Sequence, residues 1–145
     1  MANRSKAKGY RGEVEVLDLL QAVVNEEYAK RGLRGPELSR SPHGRDIVGL
    51  PWLAPEVKRV EQNNPANVAS WWNQCKDQGQ GKREVVLFHR QNNRPWNVRM
   101  FGFLDLPRLA DKTPRVRCPV DITVEAFVAW LRLRIQQDLN TPVVL

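Results

Sequence analysis

Residues 39–58 read SRSPHGRDIVGLPWLAPEVK, and this stretch decides the fold. Asp46 opens an apolar run to Leu50 that predicts one strand, and Glu56, Lys58 and Val60 predict the next. Successive side chains of a strand alternate faces, so Glu56 and Lys58 project to one side while Val57 turns into the core. Asp46, Glu56 and Lys58 then place two carboxylates and an ammonium on one patch. Carboxylate oxygens are the hard ligands that Mg²⁺ prefers, and a lysine can orient a water or offset charge building on a phosphate. The chemistry suggested is metal-assisted phosphodiester hydrolysis. The plainer reading of Glu-x-Lys is a solvated ion pair on a strand, and the flanking elements bear on the choice.

Upstream, apolar Leu17, Leu20 and Val24 fall at helical spacing and predict a helix from about Tyr10 to Lys30, after a flexible basic arm over residues 1–9. Glu13 lies one turn earlier on the same stripe. Either it serves a site at the buried face, or it complements the helix dipole as a first-turn acid. Glu15 and Asp18 lie on the polar face with Asn25, where solvation explains them. After a turn over residues 32–36 comes a short strand near Glu37–Arg40. Downstream, residues 67–78 predict a helix stopped by Gly79-Gln80-Gly81. Residues 84–89 and 97–103 predict strands joined by a polar turn. A last helix over residues 124–139 has Thr123 as its cap and Phe127, Leu131, Ile135 and Leu139 on one face. The order predicts an α/β sandwich with a mixed central sheet flanked by helices. Nine residues separate Asp46 from Glu56, and Pro51 and Pro55 fall among them. Pro55 predicts a bulge or an interrupted ladder, and simple hairpin counting sets Asp46 opposite residues near Lys58 rather than Glu56.

Three segments together resemble the archaeal-type Holliday junction resolvases of the PD-(D/E)xK nuclease superfamily, including versions that look phage-encoded. They are KGYRGEVE at residues 8–15, SRSPHGRDI at residues 39–47 and EVK at residues 56–58. The resemblance extends loosely to about Phe103, roughly two thirds of the chain, and implies a restriction-endonuclease-like core within a single nuclease domain over residues 10–145. It also implies a catalytic set of Glu13, Asp46, Glu56 and Lys58, with the Val57 carbonyl as a further metal ligand. Mg²⁺, for which Mn²⁺ would substitute, is the implied cofactor, and the implied product ends are 5′-phosphate and 3′-hydroxyl. Ser39 or Ser41 would belong to the loop that guides the scissile strand. Gln74, on the second helix beside Lys76, resembles a glutamine that positions a phosphate or the attacking water in several branches of the superfamily. Trp71 and Trp72 point about a quarter-turn apart, so one can enter the core while the other reaches an interface or a base. His43, in a Pro-His-Gly-Arg turn, reads as a structural or phosphate-contact residue.

Charge is the second signal. Lysine and arginine exceed aspartate and glutamate by 23 to 16, a net +7, and the excess is uneven. Residues 1–12 hold Arg4, Lys6, Lys8 and Arg11 with no acid. Residues 82–99 hold five bases against Glu84, whereas residues 13–81 hold ten acids and eight bases, with Arg40 and Arg45 near the proposed site. Basic flanks that grip phosphates around a local cluster of acids suit a metal-dependent nuclease. Ordinary solubilising charge would explain the basic pI but not this partition. No apolar run approaches membrane-spanning length, and no secretory signal is visible. Cys75 and Cys118 lack zinc-ligand spacing, which points to a reducing cytoplasm, or to a host cytoplasm for a phage protein.

The expected partner is branched DNA, selected by junction shape, since no base-reading motif is present. A four-way junction has two equivalent scissile phosphates, so a chain with one site is expected to act as an isologous homodimer. Trp71 or Trp72 and the helix carrying Phe127, Trp130 and Leu131 are candidate interface groups. Two other classes stay open: a nuclease of the same fold acting on linear duplex or flaps, and a non-catalytic basic DNA-binding module.

Overall fold

The computed structural model describes residues 2–41, 47–60, 64–79, 84–105 and 114–141, with side chains from residue 11 onward. Among the described residues, three helices, α1 (Ala2–Ala29), α2 (Pro65–Gly79) and α3 (Val124–Asn140), accompany six strands. These are β1 (Ser39–Arg40), β2 (Ile47–Val48), β3 (Leu53–Val60), β4 (Glu84–Gln91), β5 (Asn97–Asp105) and β6 (Arg115–Ile122). The class is α/β. Strands β3 to β6 form a mixed sheet in sequence order, parallel between β3 and β4 and antiparallel elsewhere, while β1 and β2 pair separately. The parallel step requires a crossover, and α2 supplies it.

Several expectations are corrected here. Helix α1 starts at Ala2, so it takes in residues 2–9 that composition assigned to an arm. Alanine, lysine and arginine are good helix formers, and together they outweigh the cost of about 1 kcal/mol carried by Gly9. Pro55 makes no bulge, because β3 and β4 pair in unbroken register from Leu53↔Glu84 to Val60↔Gln91. Strand β3 is a sheet edge, where the N–H that proline lacks is not needed for the ladder. The hairpin expected of the two strands around Pro51 does not form either: Ile47 pairs with Arg40 of β1. Strand β6 is an additional element. Its Val116, Cys118, Val120 and Ile122 alternate with Arg115, Arg117, Pro119 and Asp121, a period-2 pattern disguised by proline and charge.

Two apolar cores lie on the two faces of the sheet. On one, Val16, Leu20 and Val24 of α1 and Phe127, Leu131 and Ile135 of α3 pack on Val86, Phe88, Val98 and Met100. Leu38, Ile47 and Leu50 from the β1–β2 segment close that core. On the other, Val68, Trp72 and Cys75 of α2 pack on Val85 and Leu87. Trp72, Phe127 and Leu131 are therefore spent inside the chain and do not offer an interface. Trp130 lies edge-on to Trp52 at 6.3 Å. Thr123 caps α3 as expected, its hydroxyl accepting the Ala126 N–H at 3.1 Å. No helix among the described residues is long and apolar enough to cross a membrane.

Candidate functional site: the Glu56 and Lys58 face of the sheet

Strand β3 places Glu56 and Lys58 on the side that faces α2. Val57 alternates to the opposite face and packs against the larger core. The Lys58 Nζ lies 3.4 Å from Glu56 Oε1, and Glu56 is only 7% exposed. A carboxylate so far removed from water needs a charged neighbour, and Lys58 supplies one. Register then sets Leu87 of β4 beside Glu56 and His89 beside Lys58. Further along the row from Glu56 come Arg99 of β5 and Asp121 of β6, joined by two hydrogen bonds of 2.7 and 2.9 Å.

Trp71 is the tryptophan that α2 leaves half-buried, and its ring centroid lies 6.3 Å from that of His89. Burial pushes the His89 imidazole below its usual pKa; Asp121 works against that and Arg99 with it. Burial thus favours the uncharged ring. Asp121 titrates below its ordinary range, chiefly because Arg99 donates to it. The result is a polar strip across one sheet face, with a buried acid and an ammonium at its β3 end.

The remaining expected site residues divide. Glu13 is half-buried and accepts from Arg40 Nε at 2.5 Å, so each already has a partner. Helix α1 reaches β3 from the face opposite Glu56, at Gly12. A side-chain carbon on Gly12 would come within 3.0 Å of Arg59 Cβ and 3.3 Å of Trp96. Glycine is what permits that approach. Asp46, Arg45 and His43 lie outside the described residues, as do the side chains of Lys6 and Lys8. Arg11, Ser39, Gln74 and Lys76 are exposed and Ser41 is half-buried.

Among the described residues no group of three histidine, cysteine, aspartate or glutamate side chains could hold a metal. The donors on β3, a buried carboxylate and the Val57 carbonyl, are hard oxygens of the kind Mg²⁺ takes. Glu13 would join them only by leaving Arg40.

Glu15 departs most from its expected role. Far from being merely solvated, it pairs with Arg59 at 2.8 Å and Arg90 at 3.3 Å and accepts from the Trp96 indole at 3.1 Å. Arg90 also stacks over the Trp96 ring, 5.1 Å from its centroid. This cluster ties α1 to β3, β4 and the turn before β5. Its partners are tens of residues away in sequence, so helix periodicity carries no trace of it.

No family model matches the chain, and searches of curated proteins and of solved structures return no match. The residues themselves carry the functional reading.

Proposed function

We propose that the chain is a Mg²⁺-dependent, structure-specific DNA endonuclease with a restriction-endonuclease-like core, acting as a homodimer on four-way junctions. The observation that carries this reading is the buried Glu56 held 3.4 Å from Lys58 on one face of edge strand β3. Support also comes from the order of the motifs along the chain and from the net charge of +7. Asp46, Glu56 and the Val57 carbonyl would hold the ion, with Glu13 binding through water or a second ion. Bound there, Mg²⁺ would supply positive charge against the phosphate oxygens.

The chain's own contribution falls to Lys58. Its ammonium orients the attacking water and offsets charge on the phosphorane-like transition state. Glu56 holds that ammonium in place, and burial of the carboxylate keeps the pair from dispersing into solvent. Burial disfavours the charged form of His89 beside Lys58, which limits competing positive charge there.

The test is cleavage of a labelled four-way junction and of a matched linear duplex, with Mg²⁺ and with chelator. Junction cleavage that needs Mg²⁺ and is abolished in Glu56→Gln, with DNA binding retained, is the expected result. Wild-type rates in Glu56→Gln would refute the assignment of this face. Equal cleavage of linear duplex would favour a repair or restriction nuclease. Binding without cleavage under every condition would leave a non-catalytic DNA-binding module.

A further inference from the structure

Helix α2 packs on β3 and β4 and reaches Phe101 of β5, and beyond Phe101 no described element covers the same sheet face. Phe101 and Phe103 of β5 alternate onto this face, and Phe103 pairs across the ladder with Arg117 and Asp105 with Arg115. The Phe101 ring rests on buried Trp72 at 5.1 Å between centroids. The Arg117 guanidinium carbon lies 3.7 Å from the centre of the Phe101 ring, and that of Arg115 lies 5.9 Å from the Phe103 ring. Phe103 is 58% exposed, and both arginines are exposed as well.

The chemistry of this platform is specific. A guanidinium lying on a ring keeps its outer face available; Arg115 gives its Nε to Asp105 at 3.0 Å and retains its two terminal nitrogens, and the exposed Phe103 offers a flat apolar surface. The open Phe103 ring beside two cations matches a base flanked by its phosphates. Only unpaired nucleotides can present their base faces, since a duplex keeps them stacked inside. A second copy of this chain fits less well, because seating it here would take both guanidinium groups out of water, and burying charge is costly.

We propose that the β5–β6 face binds an unpaired segment of nucleic acid, with a base stacked on Phe103 and phosphates paired to Arg115 and Arg117. This site goes beyond the hydrolytic reading and does not depend on it, because it lies at the opposite end of the sheet from β3 and requires no metal.

The experiment is fluorescence anisotropy in chelator with labelled oligothymidylate and with blunt duplex. Wild type, Phe103→Ala, Phe103→Tyr and Arg117→Gln are compared, with circular dichroism to verify folding. Phe103→Ala is expected to weaken oligothymidylate binding about 5-fold or more while duplex affinity stays unchanged. Phe103→Tyr keeps the ring and should bind as wild type does. Arg117→Gln should lower the log–log salt slope for oligothymidylate by about 0.7. Equal oligothymidylate affinity in folded wild type, Phe103→Ala and Arg117→Gln would overturn the proposal. So would a dimer that Phe103→Ala dissociates in sedimentation with single-strand affinity intact, which would give the surface to a second copy. Because cleavage is not read, loss of the nuclease reading would leave this result standing, and the reverse also holds.

Discussion

Replacing Glu27 by glutamine tests how α1 is fastened to α3. Glu27 is 2% exposed; it accepts from Arg132 at 3.0 Å and Gln136 at 3.2 Å and pairs with Lys30 at 2.6 Å. Burial alone would raise its pKa, but the hydrogen bonds from Lys30, Arg132 and Gln136 prevail and hold it below the ordinary value. A carboxyl depressed in the native state stabilises the fold above its unfolded-state pKa. That contribution is lost as pH falls through the native pKa.

The magnitude follows from what remains after the substitution. Breaking a buried pair costs about 3–5 kcal/mol when the survivor is stranded. Here Arg132 and Lys30 are 34% and 59% exposed, and Arg132 keeps Glu26 at 2.8 Å. Glutamine also preserves shape and one acceptor. The expected loss is therefore about 2 kcal/mol at neutral pH, discounted from that range for solvent access to the partners. In a chain of this size it lowers Tm by about 4–8 °C. Urea titrations of wild type and Glu27→Gln from pH 7 down to about pH 3 read both the loss and its pH course. The two stabilities should converge as the medium acidifies. Equal midpoints at pH 7, or a constant gap across the series, would refute the reasoning.

Two further outcomes concern packing and capping. Gly79 closes α2, and a Cβ there would sit 2.1 Å from Cγ1 of Val85, itself 4% exposed and hemmed in by the second core. Gly79→Ala should therefore cost about 1–3 kcal/mol in urea unfolding, and near-wild-type stability would show that the helix end can shift. Thr123→Ala removes the hydroxyl that accepts the Ala126 N–H and should cost about 1 kcal/mol, whereas Thr123→Asp should retain most of it by the same measurement.

What the sequence disclosed follows the range of each signal. Helix α3 was legible because a cap and an apolar stripe are local, and the shared face of Glu56 and Lys58 was legible because strand alternation is local. The fate of Pro55 was not, since edge or interior position depends on which strands pair. Glu13 and Glu15 show the same limit from the other side. Two residues apart on one helix, they looked like a buried acid and a solvated one, yet both meet arginines, Arg40 and the pair Arg59 and Arg90. Those partners arrive only through tertiary folding. Strand β6 was hidden for a different reason: its alternation is intact, but proline and three charges lower its apparent strand propensity.

The prolines carry one more consequence. Pro55 lies on β3 and Pro119 on β6, the two outer strands of the four-stranded sheet. Each interrupts the row of donors that an incoming chain would need in order to add itself to the ladder. Such a sheet is poorly suited to polymerise. Phe103, Leu104 and Val116, exposed on the last hairpin, therefore sit in a sheet whose open edges resist cross-β growth.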